Sequence, residues 1–340
     1  MPNPIYAARN RIPYRILFPR CSVHIELTSR PFLIVAFAGG IGAARFLEGL
    51  IRVVPQEQIT VIGNVGDDIE FYGLHVSPDL DIVAYTLAGV VDQHKGWGFD
   101  HDTFHVQNTL RRYGIKPWFN LGDKDLATHI YRTQELQKGR VLSDVTQDIV
   151  ERLGLRIKLM PATDDRLQTY VIANGREMHF QEYMVKRQTK PKVSKIIFRG
   201  SKDAKPTRRV LKSIADASGI IICPSNPIVS IGAILAVSGM KNALAKTKAK
   251  IVGVSPIIGG KTVKGPADKL LKTINVKTTA VGVAELYRGF LDTFVIDRVD
   301  EQLGTSIAAL GIKPIVTNTL MRTLSDKTRL ARVVLSQLKR

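Results

Sequence analysis

The sequence predicts an α/β fold: a wound, mainly parallel sheet with a Rossmann-like core and a smaller α+β subregion. Three observations carry this. Residues 33–38 form a continuous apolar run that stops at Gly39 and Gly40, and Ala43, Phe46, Leu47 and Leu50 then recur at helical spacing, giving strand, glycine turn and helix. A second strand over 58–64 ends in the polar cluster Gly66, Asp67 and Asp68, which completes a βαβ unit. The alternation resumes in the second half, where a helix over 207–218 feeds an apolar strand over 220–223.

Between these anchors the elements follow from local chemistry. Helices are expected at 81–91, at 102–113 with Gly114 as exit, and at 125–138 with Gly139 as exit; all three have a polar entry. From 156 to 198 the pattern shifts to short alternating runs, with Asn174 and Gly175 as a hairpin turn. After strand 220–223 come a Pro-Ser-Asn-Pro turn at 224–227, a helix through Leu235, a strand over 251–255 ending in SPIIGG, a strand over 293–296 and an amphipathic helix over 325–338. The expected organisation is a single α/β domain over 32–340 with a smaller inserted subregion around 140–205. Residues 1–31 stand apart as a basic leader, expected to be disordered, with an extra strand or an organellar presequence as alternatives; residues 1–30 hold five arginines against Glu26.

Composition narrows the function classes. With 44% hydrophobic residues in 340, the chain can bury a large core without staples. Cys21 and Cys223 lie far apart and outside any metal-binding spacing, so neither a disulfide framework nor a zinc site is indicated. The apolar runs are strand-length, well short of the roughly 20 residues that span a bilayer, and a cytoplasmic location is expected. The net charge is +19, with eleven basic residues against one acid over 186–212 and nine against one over 241–277. Such a field suits polyanions, whether nucleic acid or phosphorylated small molecules, and a solvated basic surface explains it equally well. No helix-turn-helix, RRM or zinc-finger pattern accompanies it, so nucleic acid is not an expected partner.

In a wound parallel sheet, ligands bind beyond the carboxyl ends of the strands, where glycine turns and helix N-termini offer N–H donors. Gly39, Gly40 and Gly42 sit there and would let a phosphate approach the backbone. The turn is neither a Walker loop nor a complete GxGxxG, because Arg45 holds the third glycine position. Four aspartates, Asp67, Asp68, Asp79 and Asp81, fall within fifteen residues at a strand end and helix start. Clustered carboxylates repel one another and call for donors, water or a cation, and oxygen ligands beside phosphates suit Mg²⁺ or Mn²⁺; caps of turns and helices are the structural alternative. Ser225 and Asn226, in the second turn, are small donors suited to a phosphate or a guanine base. Trp97 offers a ring to stack on a flat ligand or to anchor a core. His101, His129 and His179 read as isolated residues with structural or surface roles.

In order along the chain, AGGIGAARFLEGL, NVGDDIEFYGLHVSPDLD, YTLAG, GWG with DTF, LGDKDLATHIYR, PSNPIVSIGAIL, SPIIGGKTVKGPADKL and GVAELY resemble one family. It is the 2-phospho-L-lactate transferase family of coenzyme F-420 biosynthesis, and the likeness runs from about residue 33 to the C-terminus. The resemblance implies an Mg²⁺-dependent transferase, by analogy a homodimer. Its donor is a lactyl, enolpyruvyl or glyceryl phosphate joined to GMP through a diphosphate, its acceptor is the ribityl hydroxyl of the deazaflavin FO, and GMP is released. On that basis Asp81 corresponds to a deazaflavin-binding position, with Asn120 and Trp97 beside it. Gly39, Gly40, Gly42, Asn64, Ser225 and Asn226 face the nucleotide and phosphates. Asp67 and Asp79 are the catalytic pair and the metal ligands, with Asp68 as alternate.

Two departures stand out. Asn120 holds a position usually basic in the family, so a cation beside the deazaflavin is missing. The turn commonly GGTGTPKL reads GGIGAARF, which puts Ile41 and Arg45 in place of a threonine and a lysine. Two other functions compete with the transferase: a nicotinamide-dependent Rossmann oxidoreductase, which would need the complete glycine fingerprint and one acidic residue at the second strand end, and a basic nucleic-acid-binding protein.

Overall fold

The computed structural model describes residues 32–338; the basic leader, and every expectation placed on it, lies outside them. The described residues begin in the middle of the main sheet. β1 (Ile34–Ala38) is followed by α1 (Gly40–Leu50) and β2 (Ile59–Gly63), which pairs parallel to β1. A hairpin of β3 (Ile69–Phe71) and β4 (Leu74–Val76) leads into α2 (Pro78–Leu87), then α3 (His105–Arg112), α4 (Asp123–Gln137) and α5 (Leu142–Arg152). The sheet is extended beyond β2 by β5 (Lys158–Pro161). A separate antiparallel sheet follows, with β6 (Gln168–Ala173) between β7 (Arg176–His179) and β8 (Val193–Arg199).

The chain then crosses to the other side of β1. Helix α6 (Arg208–Asp216) leads into β9 (Gly219–Ile222), which pairs with β1; α7 (Ile231–Ala236) and α8 (Met240–Lys246) lead into β10 (Lys250–Val254). The short hairpin of β11 (Ile257–Ile258) and β12 (Lys261–Thr262), with α9 (Ala267–Thr273) and α10 (Ala280–Leu286), precedes β13 (Thr293–Asp297). Last come α11 (Gly304–Ala308), β14 (Lys313–Thr317) and α12 (Leu324–Leu338). The resulting order is β14-β13-β10-β9-β1-β2-β5, parallel throughout.

Helices on both faces explain why β1, β9 and β13 are buried at every position, with β1 and β9 read as unbroken apolar runs. Phe46, Leu47 and Leu50 turn the buried face of α1 to the core. At its far end Gly49 lies against the backbone of Lys327 in α12, where an added Cβ would fall 2.3 Å from the carbonyl carbon. The Lys327 ammonium pairs with Glu48 beside it.

The expected α/β architecture holds, with two adjustments. Helix α2 begins at Pro78, three residues earlier than the sequence suggests, because proline at the first helical position is pre-set for helix. Asp79 and Asp81 therefore stand in the first turn of the helix. In the stretch expected as an inserted subregion, α5 and β5 belong to the main fold, and only β6, β7 and β8 form the small sheet. A four-residue edge strand, KLMP, has too few alternations to be told from a hairpin strand. The turn at Asn174 and Gly175 does close a hairpin, with φ of 50° and 75°.

Candidate active site

The order of strands reverses at β1: the chain runs outward through β2 and β5, then returns to build β9, β10, β13 and β14 on the opposite side. A crevice opens beyond the carboxyl ends at such a point. Here it is a cleft of about 710 Å³, with lining residues that range from Gly39 to Arg322. The two turns at the switch are tied together, since the Gly39 N–H donates to Ser225 Oγ across 3.2 Å. Gly42 packs so closely on the second turn that a Cβ would fall 2.2 Å from the Pro224 carbonyl oxygen.

Asp79 sits beneath the glycine turn. Asn64 Nδ2 donates to Asp79 Oδ2 at 2.9 Å, and the Gly40 N–H and the Ser230 hydroxyl also serve this carboxylate. An added Cβ on Gly39 would come within 2.6 Å of it, so glycine is required by close approach, and Gly40 is required by a φ of +70°. Asp67 enters from the loop after β2, held by Gln181, whose Nε2 donates to Oδ2 at 3.0 Å; Asp67 Oδ1 is buried without a hydrogen-bond partner. Burial raises both carboxyls, with neighbouring aspartates adding to it. Asp67 is pushed well above the usual range, by burial and then by Asp79 and Asp68, and Asp79 is raised to about 6, by burial and then by Asp68.

These two residues fit a divalent cation. Both line the cleft beside backbone N–H groups suited to phosphate, and the orphaned Asp67 oxygen needs a partner. No group of three or more His, Cys, Asp or Glu among the described residues is arranged to hold a metal ion. Two protein carboxylates completed by substrate oxygens and water are the set that suits Mg²⁺.

The other expected residues divide. Gly39, Gly40, Gly42, Asp81, Trp97 and Asn120 line the cleft, as do Ser225 and Asn226. Asn226 is also structural, its Oδ1 accepting from the N–H groups of Ile228 and Val229. Asn64 and Asp68 do not line it. Asn64 lies fully buried behind the wall, its amide donating to Asp79 and the Val229 carbonyl and accepting from the Gly66 N–H. Asp68 turns away, taking hydrogen bonds on one oxygen from Ser77 Oγ at 2.7 Å and His75 Nε2 at 3.0 Å. The position before Asn64 ends β2 and the next three residues form the loop, so alternate side chains cannot all face one way.

Behind Asp81 lies a buried charged group that the isolated motifs did not reveal. Arg132 forms a two-pronged ion pair with Asp81 while only 1% exposed. His129, in the cleft wall, packs between Asp81 and Asp125, with ring nitrogens 3.7 Å and 3.3 Å from their carboxylates. The Tyr85 hydroxyl donates to Asp125 at 2.9 Å. The signal was present as spacing: Asp125, His129 and Arg132 share one face of α4 at i, i+4 and i+7. Gln181, after β7, carried no comparable signal.

A parallel wound sheet whose switch-point cleft brings a glycine turn against paired buried carboxylates belongs to the nucleotide- and phosphate-handling α/β proteins. Within that class, a match to the family described as 2-phospho-L-lactate transferase CofD spans residues 34–331, and the chain belongs to this family. It is 44% identical over 309 residues to a protein named phosphoenolpyruvate transferase in Streptomyces coelicolor, covering 89% of this chain and 97% of that one. A protein of the same name in Kitasatospora aureofaciens is 45% identical over 310 residues, with the same shares covered. The 2-phospho-L-lactate transferase of Methanocaldococcus jannaschii is 38% identical over 308 residues, again covering 89% and 97%. A crystal structure of a UPF0052 family protein from Bacillus halodurans matches with a TM-score of 0.61 at 18% identity, over 89% of this chain and 98% of that one, which shows the fold alone. No helix among the described residues is long and apolar enough to cross a membrane.

Proposed function

We propose that this transferase moves an enolpyruvyl phosphate group from a GMP-diphosphate-linked donor to the ribityl hydroxyl of the deazaflavin FO and releases GMP. The observation that carries the reading is the pairing of Asp67 and Asp79 with the glycine turn at the switch point, which joins a cation site to a phosphate cradle. The acid is chosen from the relatives: those named phosphoenolpyruvate transferase reach 44% and 45% identity, against 38% for the 2-phospho-L-lactate transferase.

The acceptor hydroxyl oxygen attacks the phosphorus that bears the acid, its proton passes to solvent, and the bond from that phosphorus to the GMP oxygen breaks. Such transfers pass through a loose transition state, so positioning and charge stabilisation dominate over bond making by the protein. A divalent ion held by Asp67 and Asp79 would supply neutralising charge on the diphosphate. The N–H groups of the glycine turn cradle the phosphates, and Ser225 keeps the two turns in register. Asp81, fixed by Arg132, accepts hydrogen bonds from the ribityl chain, while Trp97 and Asn120 border the ring.

The test is a mass-spectrometric assay of the purified chain with FO, Mg²⁺ and, separately, the enolpyruvyl, lactyl and glyceryl donors. Metal-dependent product and GMP from the enolpyruvyl donor are expected. Turnover of another donor alone would overturn the choice of acid, and no turnover with folded protein would overturn the reaction.

A further inference from the structure

Among the described residues, three cations that line the cleft, Arg45, Lys264 and Arg322, have no counter-ion, and the first two come together on one wall. Arg45 stands on α1 one turn after Ile41, so the two side chains share a face of that helix. Lys264 enters from the segment after β12. A Cβ added to Gly96 would lie 3.3 Å from Lys264 Nζ and 3.8 Å from Ile41 Cδ1, so three distant segments converge at this point of the wall. Arg45 and Lys264 both line the cleft, and neither makes an ion pair or hydrogen bond among the described residues. They are near enough to repel: burial lowers the Lys264 ammonium below its usual range and the Arg45 charge lowers it further. By contrast Lys95, in the same wall, is neutralised by Asp92 at 2.8 Å.

We infer that Arg45 and Lys264 together hold the carboxylate of the acid carried by the donor. The inference rests on the proposed GMP-diphosphate donor and assigns its remaining charged end. The diphosphate already has the glycine turn and the carboxylate-held cation, whereas the carboxylate has no other designated partner. A guanidinium offers two parallel donors to a carboxylate and an ammonium adds a point charge, and an anion between them removes their repulsion. The arrangement also gives a role to the arginine that interrupts the glycine fingerprint.

The test compares two ligands on the full chain with Mg²⁺: the enolpyruvyl donor, and the β-ethyl ester of GDP, which keeps the diphosphate diester but lacks the carboxylate. Binding is measured by calorimetry for the wild type, Arg45→Met and Lys264→Met, with thermal melts as a check on folding. Because each substitution removes a charge-assisted hydrogen bond to the carboxylate, it is expected to weaken the enolpyruvyl donor roughly 10-fold or more and the ethyl ester less than about twofold. Equal weakening of both ligands would place the cations on the diphosphate and overturn the assignment. Unchanged binding of both would overturn it as well. Failure of the wild type to bind either ligand would instead refute the donor itself, and the inference with it.

Discussion

Asp79 accepts hydrogen bonds from three segments at once, yet its carboxyl remains raised to about 6, so burial outweighs the donors that serve it. Such a group gains from a cation. Asp79→Asn and Asp67→Asn are each expected to cut kcat by roughly 100-fold or more, the scale seen when one charge-stabilising contact is removed, while thermal melts of the metal-free protein stay close to wild type. Loss of folding in Asp79→Asn would make its role structural. Arg132 is the opposite case, a buried charge whose removal strands its partner. Arg132→Met is expected to cost about 3–5 kcal/mol in denaturant unfolding, because Asp81 is left without compensation. In Arg132→Lys, which restores the charge without the two-pronged geometry, most of that stability should return while the acceptor KM stays raised. Recovery of both would show that charge alone matters at this position.

At the scale of elements, the site depends on two turns that nearly touch. The Pro224 carbonyl occupies the space where a Gly42 side chain would go. Gly42→Ala should therefore push α1 away from the second turn, with an expected loss of about 1–3 kcal/mol and weaker nucleotide binding, checked by unfolding and calorimetry. Much of this layer was legible in the sequence. Each apolar run ended at glycine or a polar cluster, and the resulting elements β1, α1, β2 and β9 lie within a residue or two of expectation. The misses differ in cause. β5 and α8 are short elements of four and seven residues, too brief for a period to declare itself, whereas α5 was missed although it is eleven residues long and turns Leu142, Val145, Ile149 and Val150 inward. The start of α2 was set by a proline, and Asn64 read as a ligand-facing residue because its direction depends on Asp79 and Val229, which are 15 and 165 positions away. Contacts at such separations leave no local pattern.

For the molecule as a whole, the raised acidic pair is expected to make stability, and the proposed cation binding, depend on pH. Asp79, raised to about 6 from 3.8, binds more protons folded than unfolded between those values, so without a cation its contribution to stability falls as pH rises through that window. His179 acts in the opposite sense: burial lowers its pKa to about 4, so its contribution is lost as pH falls from 6.5 toward that value. An ordinary melt sums these opposing contributions with those of the raised Asp67 and Asp68 carboxyls, so the informative quantity is the difference with and without Mg²⁺. That increment is expected to be small at pH 5 and to grow by pH 7.5, once the carboxylates have lost their protons; an increment independent of pH would remove Asp67 and Asp79 as ligands. The global arrangement was legible as a class of sheet. The partner strands were not, since β1 pairs with β9 across 185 residues and the cleft draws on segments from both ends of the domain. The seat of α12 on α1, where Gly49 meets Lys327, has a further consequence. A nascent chain leaving the ribosome presents its glycine turn early, but α1 lacks its covering helix until α12 emerges. Until then the apolar flank of α1 is open to chaperones, and a translation arrest before α12 leaves a chain that carries every residue of the site without the support that holds it.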